Sequence, residues 1–536
     1  MEDGGSLCGG VEVGRVVGTS TPLESIVDVR REVVEAGSLV AGSYVVAESL
    51  GGCVLGIVEA IRSSTEVFNV MSSSESVEWF ARAVGEAMSN YTTRRAKVRW
   101  VSYVEPLVNG GRLEAPKLPV EPGGLVRLAR PEVLERVFSP EGRRWVRLGR
   151  LMGVDVEYRV NVNALTRHLA ILAVTGGGKS NTVCVLVRRI VGGLGGTVLV
   201  FDMHGEYGTL GLEGRAKLLS PAKLNPASLT FEELLELTRF QGTQQERLLR
   251  WLWIELKRLY NMGRLGAPDL IPRMMEVLGE AAKKASNHQA LKRIFTEVTG
   301  FEPSKDPPPI EKVKERAMGV LSKLEDLDYE YRDILDPHTP TNLASIVEPG
   351  KLTVMDLSRL DEKAADAVVS HYLRRILTER RKWKATGGEG YPSPIIVVIE
   401  EAHVLIPAGE DTLTKMWAAR TAREGRKFGV GLVMVSQRPK RLDPDVLSQA
   451  NNKIVLRMVE PQDIRYVQAA SEELSEDLAS LLPSLNTGEA VVMGSMTRLP
   501  AVVKIDRCDA RHGGGDIDLV EEWGKLGGGE DFSDYF

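Results

Sequence analysis

The sequence is poor in cysteine, in aromatic residues and in long apolar runs. Its four cysteines, Cys8, Cys53, Cys184 and Cys508, are scattered over 536 residues with no CxxC pair. That spacing excludes a zinc knuckle and offers no disulfide framework, so four free thiols in a reducing compartment are expected. Apolar runs stop far short of the roughly 18 residues needed to cross a bilayer. The amino terminus, MEDGGSLCGG, is acidic and has no apolar stretch, so no secretory leader is expected. A large charge excess is missing too. Lys and Arg number 68 against 73 Asp and Glu, a net charge of −5. The segment from Cys508 onward, with eight acidic and two basic residues, alone carries −6. The body is near neutral, which excludes a basic coat for nucleic acid but leaves room for a local basic channel. These absences predict a soluble, cytoplasmic protein without a membrane segment. Glutamine is sparse, a bias of thermophilic proteins.

What is present is an ordinary globular balance, 43% hydrophobic and 26% charged, long enough for several cores. Residues 1–112 read as short strands, at 44–47, 53–61 and 97–104, with one helix over 75–89, and suggest a small sandwich or barrel. Residues 113–146 read as a linker, with Pro116, Pro119, Pro122 and Pro131 in quick succession. Residues 147–225 and 340–507 read as one α/β unit with a parallel-rich sheet, its strands expected near 154–162, 168–174, 197–202, 352–356, 395–399, 430–436, 453–456 and 490–493. Residues 226–339 form a helical insertion, because Leu248, Leu249, Leu252, Trp253, Leu256, Leu259 and Tyr260 recur at helical spacing. Residues 508–536 are a Gly-rich acidic tail ending in Phe532, Tyr535 and Phe536.

The chemistry starts at Ala173, where the chain reads AVTGGGKS between a buried strand and a helix. Glycines let backbone N–H groups converge on phosphate oxygens, and the helix start adds a positive dipole end. Lys179 supplies a point charge to the β- and γ-phosphates, and Ser180 a hydroxyl to Mg²⁺. The first glycine of the usual pattern is Ala173 here. A second apolar strand, IIVVI, ends in Glu400 and Glu401, and ligands of parallel sheets bind beyond the carboxyl ends of strands. Glu400 is the candidate for the magnesium shell, and Glu401 for orienting the attacking water. His403 is either catalytic or a packing residue. Gln437 tips the strand at 430–436 and can sense a γ-phosphate. Asp202 either orders water and metal or caps its own loop. Arg420, Arg423 and Arg426 lie three apart on one helix, either a solvated face or a source of charge for phosphoryl transfer.

These residues resemble those of the HerA family of DNA-translocating ATPases, in the wider HerA–FtsK division of P-loop motors. The resemblance is carried by Thr175 to Asn181, Asp202 to Tyr207, Glu400 to His403, Ala422 to Gly429, Ser436 to Pro439, Leu447 to Asn451, and Leu456 with Arg457. It is strong over residues 147–505. It implies a RecA-like P-loop core, a small N-terminal β-barrel, ATP and Mg²⁺ as cofactors, and a hexameric ring with double-stranded DNA through the pore. Thr175, Gly176, Gly177, Gly178, Lys179, Ser180 and Asn181 would bind nucleotide, with Arg167 and Asp202 beside them. Arg426 resembles the arginine finger given to a neighbouring subunit, Glu401 the catalytic glutamate and Gln437 the polar sensor. The family's usual partner is the nuclease NurA, with a functional link to the Mre–Rad nuclease complex in DNA end resection. The departures are Ala173 and Gly177, where the family commonly has Gly and Ser. Arg438, Lys440 and Arg441 are candidates for gripping DNA phosphates. The rival readings are a protein- or conjugation-related secretion ATPase, and a ring clamp or nuclease scaffold whose ATP serves assembly.

Overall fold

β-Branched residues at alternating positions suit a pleated surface, and the first part of the chain uses them to close a barrel. The computed structural model describes residues 7–64, 77–79, 82, 92–111, 113–238, 240, 243–510, 519 and 523. β1 (Glu12–Val17), β2 (Glu24–Val29), β3 (Tyr44–Ser49), β4 (Gly52–Ser64), β5 (Thr93–Tyr103) and β6 (Leu125–Leu128) join in the order β1-β2-β5-β4-β3-β6, and β6 pairs back onto β1. Val13, Val27, Val45, Val54, Val98 and Val126 form its core. The buried indole N–H of Trp100 is satisfied by Ser25 Oγ at 2.7 Å.

The segment expected as a linker is corrected by this closure, because β6 lies inside it. One of its prolines opens an element: Pro131 occupies the first turn of the helix Pro131–Phe138, where its missing N–H costs nothing. The helix expected over 75–89 and the tail beyond 510 fall mostly outside the described residues.

The second body is an eleven-stranded sheet. Its strands are β7 (Trp145–Leu151), β8 (Glu157–Asn161), β9 (Leu169–Leu172), β10 (Thr197–Asp202), β11 (Ala216–Leu219), β12 (Leu352–Asp356), β13 (Ile395–Ile399), β14 (Val430–Ser436), β15 (Asn452–Leu456), β16 (Glu489–Met493) and β17 (Ala501–Ile505). From β11 through β12, β10, β13, β14 and β9 to β15 the pairing is parallel; β16, β17, β7 and β8 continue it antiparallel. The central strands are apolar throughout because helices cover both faces. Between β11 and β12 the chain makes the helices Phe231–Thr238, Thr243–Asn261, Leu270–Lys284, His288–Thr299 and Val313–Glu330, with Leu248, Leu252, Leu256 and Leu259 buried at helical spacing. Among the described residues no helix is long and apolar enough to cross a membrane.

The cysteine expectation is also corrected. Cys8 pairs with Cys53, and Cys184 with Cys508, leaving no free cysteine. The partners are 45 and 324 residues apart, so only folding brings them together and sequence spacing could not reveal it.

Candidate active site

Register brings the functional loops to one edge. Phe201 lies opposite Ile399, Ile399 opposite Met434, and Ser436 opposite Leu172. The phosphate turn, the loop after Asp202, the Glu400–Glu401 pair and Gln437 therefore leave the sheet together at its carboxyl edge. They line a cleft of about 580 Å³ made by Thr175, Gly176, Gly178, Lys179, Ser180, Asn181, His204, Glu206, Glu400, Glu401 and Gln437.

The turn needs its glycines. Gly176 and Gly178 have φ of 73° and 105°, a region that side chains disfavour. A Cβ at Gly177 would sit 3.0 Å from the Cβ of Ala173. The same Cβ would sit equally close, at 3.0 Å, to the carbonyl oxygen of Val174, so a side chain at 177 would crowd both the Ala173 methyl and the backbone of the turn. Thr175 Oγ1 donates to Gln437 Oε1 at 2.6 Å, which ties the turn directly to the strand tip.

Charge is unevenly distributed in the cleft. Lys179 is its one described ammonium; burial lowers its pKa, against the charges of Glu401, Glu400 and Glu206. Glu400 is 2% exposed, and its Oε2 has no hydrogen-bond partner. Burial, followed by the nearby charges of Asp202, Glu206 and Glu401, pushes its carboxyl up to about 9. Its neighbour goes the other way. Burial alone would raise Glu401, but the His403 hydrogen bond and the charges of Lys179, His403 and His204 overcome it and lower its pKa. Glu401 Oε2 lies 3.1 Å from His403 Nδ1, and Oε1 lies 3.9 Å from His204 Nε2. The protein's own groups thus push the two adjacent carboxyls in opposite directions, Glu400 toward its protonated form and Glu401 toward its ionised one. The backbone at Glu401 is strained, with φ 44°, a conformation found where a site over-determines its residues.

A hard divalent cation fits this donor set. An orphaned buried carboxylate oxygen on Glu400 and the hydroxyl of Ser180 face a cleft with surplus negative charge. Among the described residues no group of three or more His, Cys, Asp or Glu side chains is arranged to hold a metal ion.

Two expected nucleotide residues spend their polar atoms elsewhere. Asp202 Oδ1 accepts from the backbone N–H groups of His204, Gly205 and Glu206, and Oδ2 accepts from that of Tyr207. Asp202 therefore builds the loop that presents Glu206. Asn181 lines the cleft, but its amide donates to Asp506 O and accepts from Cys508 N, beside the Cys184–Cys508 bridge. Sequence reasoning missed Glu206, whose Oε2 accepts from Ser180 Oγ at 2.8 Å. Its signal was its position just past a buried strand, four residues after Asp202.

Arg167 and Arg426 are not in the cleft. Arg167 precedes β9 and Arg426 precedes β14, so both sit at the opposite, amino edge of the sheet. Crossing the seven residues of β14 at strand rise is a distance of roughly 20 Å, farther than an arginine reaches. Arg426 is exposed and makes no ion pair with a described residue. Arg438, Lys440 and Arg441 are exposed on the loop after β14, at the cleft's own edge, where Lys440 Nζ donates to Gln462 Oε1 at 3.2 Å.

The family description "Helicase HerA, central domain" matches residues 146–376, and "Helicase HerA-like C-terminal" matches 350–508. The chain is 41% identical to the DNA double-strand break repair helicase HerA of Sulfurisphaera tokodaii, over 96% of each chain. It is 38% identical to that of Saccharolobus solfataricus, again over 96% of each. Among solved structures it is similar to the bacterial conjugative coupling protein TrwB, with a TM-score of 0.45 and 14% identity over 69% of this chain and 91% of that one.

Proposed function

The chain belongs to the HerA family of helicases, and from that premise we propose that it is an ATP hydrolase that drives double-stranded DNA through a hexameric ring of identical subunits during double-strand-break repair. The observation that carries this reading is the separation of Arg167 and Arg426 from the carboxylate cleft across the full height of one sheet. A subunit cannot complete its own site, whereas a neighbour that presents its amino edge can. Such a contact is head-to-tail, and a head-to-tail contact whose rotation closes makes a ring.

In this reading the backbone of residues 176–180 and the Lys179 ammonium bind the β- and γ-phosphates. Ser180 and Glu400 would hold Mg²⁺, which would supply positive charge to the phosphates. Glu401 orients the attacking water and accepts its proton. Arg426 and Arg167 of the neighbour offset charge on the transferred phosphoryl group. Gln437, bonded to Thr175, passes the state of the phosphate turn to the loop carrying Arg438, Lys440 and Arg441. Those cations grip DNA phosphates without reading sequence, so binding weakens steeply with salt. A NurA-type nuclease, linked to the Mre–Rad complex, acts on the ends so delivered. The test is ATP turnover with and without duplex DNA, together with solution mass by light scattering. Stimulation by DNA in a ring-sized assembly is expected. A protomer-sized particle, or a turnover indifferent to DNA, overturns the reading.

A further inference from the structure

His168 stands between Arg167 and β9, at the edge remote from the phosphate turn, and no motif above uses it. It is 2% exposed, and its backbone has φ 64°. For a residue with a side chain that conformation is strained and persists only where the surroundings impose it. The surroundings here are explicit. His168 Nδ1 accepts from the backbone N–H of Leu432 on β14 at 3.1 Å. Nδ1 therefore carries no proton, and Nε2 donates to Ala422 O at 2.9 Å. Burial, only partly opposed by the bond to Ala422, lowers the ring to about 4 and keeps it neutral. Behind it, the fully buried Asn452 amide donates to His168 O at 2.7 Å and to Ala164 O at 2.9 Å.

Both bonds of the ring have a geometric consequence. Ala422 lies in the last turn of the helix Leu413–Glu424, directly ahead of the turn Gly425–Phe428 that carries Arg426. Arg167 is the residue before His168. One imidazole thus joins the segments of both arginines. Other anchors of the Arg426 turn come from the helix Glu362–Thr386: Arg380 Nε donates to Phe428 O, Lys384 Nζ to Lys427 O, and Arg381 pairs with Glu424. None of these three reaches the Arg167 segment. Among the described residues, the His168 ring supplies the side-chain hydrogen bond that spans the two.

We propose that His168 is a positioning residue for hydrolysis at the neighbouring subunit's site: it locks Arg167 and Arg426 into one rigid unit presented across the boundary. This rests on the reading that those arginines act in the neighbour. A pair held in fixed relation arrives at the phosphates already oriented, and misplacement of such groups by about 1 Å costs on the order of 10²-fold in rate.

Two substitutions separate the two bonds of the ring. His168→Asn places an acceptor where Nδ1 stood, but is too short to reach Ala422 O. It should assemble and bind nucleotide normally while kcat falls roughly 10–100-fold with KM little changed. His168→Gln is long enough to donate to Ala422 O and should recover most of that loss; a deficit as large as that of His168→Asn overturns the proposal. So does an unchanged kcat in His168→Asn. The decisive measurement mixes His168→Asn subunits with Lys179→Ala subunits, whose own sites are dead but whose arginines are intact. Turnover per His168→Asn subunit should rise, because its site now meets intact arginines. The control mixes Arg426→Ala with Lys179→Ala. No gain in the control sinks the boundary reading and this proposal with it. A gain in the control but none with His168→Asn leaves the boundary reading standing and overturns the role of His168, which would then act on its own phosphate turn through β9.

Discussion

At the carboxyl edge of the sheet Asp202, Glu206, Glu400 and Glu401 surround the single ammonium of Lys179. At the amino edge Arg167, Arg423 and Arg426 have no carboxylate partner among the described residues. Each edge is costly alone. Burial first, and then the neighbouring carboxylates, push the Glu400 carboxyl up, while cations without partners gain nothing from the fold. Parallel strands explain how one chain makes both. Every βα turn delivers its loop to the same side, and every return delivers its own to the other. On the proposed reading, the carboxylate half of an active site is conspicuous in one subunit while its arginine half looks like ordinary surface.

The comparison can be broken from either edge. The largest effect is expected at the arginine edge: Arg426→Ala should lower kcat by roughly 10³–10⁵-fold and leave nucleotide affinity intact, read by steady-state turnover beside equilibrium nucleotide binding. Lost affinity would place Arg426 in ground-state binding instead. At the carboxylate edge, Glu401→Gln should cost about 10²–10⁴-fold in turnover, again with nucleotide retained.

A smaller effect concerns stability. The folded state holds His168 at about 4 against an ordinary 6.5, so its contribution is complete above the ordinary value and is lost as pH falls toward the folded one. The difference amounts to about 3 kcal/mol between those limits. Urea midpoints of wild type and His168→Asn at neutral pH and near pH 4.5 should show a weaker acid loss in the variant; parallel losses would show that this ring does not contribute. The smallest effect lies back in the phosphate turn. Gly177→Ser should cost about 1 kcal/mol of stability or nucleotide affinity, and adding Ala173→Gly should recover part of it, since the Ala173 methyl is one of two neighbours the new side chain crowds. Additive effects would mean that the turn relaxes around the extra atoms.

Much of this was legible in sequence because it depends on local order. A buried strand, a glycine turn and Lys179–Ser180 are contiguous, and so are IIVVI and its two glutamates. The alternation of apolar strands with helices announced a parallel sheet. What escaped depends on distance created by folding. The disulfides join residues far apart, β6 hides among prolines that look like a linker, and only the four backbone donors on Asp202 decide between its two readings in favour of the loop cap. Arg426 was read as a finger from its motif, but that it lies a strand's length from its own cleft follows only from the register of β14 against β9.

The bridge between Cys184 and Cys508 has a topological consequence. The central sheet is assembled from chain on both sides of the helical insertion, and this bond spans that insertion completely. The covalent path is therefore a large closed loop, with the barrel carried on the chain that leads into it. A protease that nicks the insertion would open the loop without freeing either half, and the fragments would part only once a reductant is added.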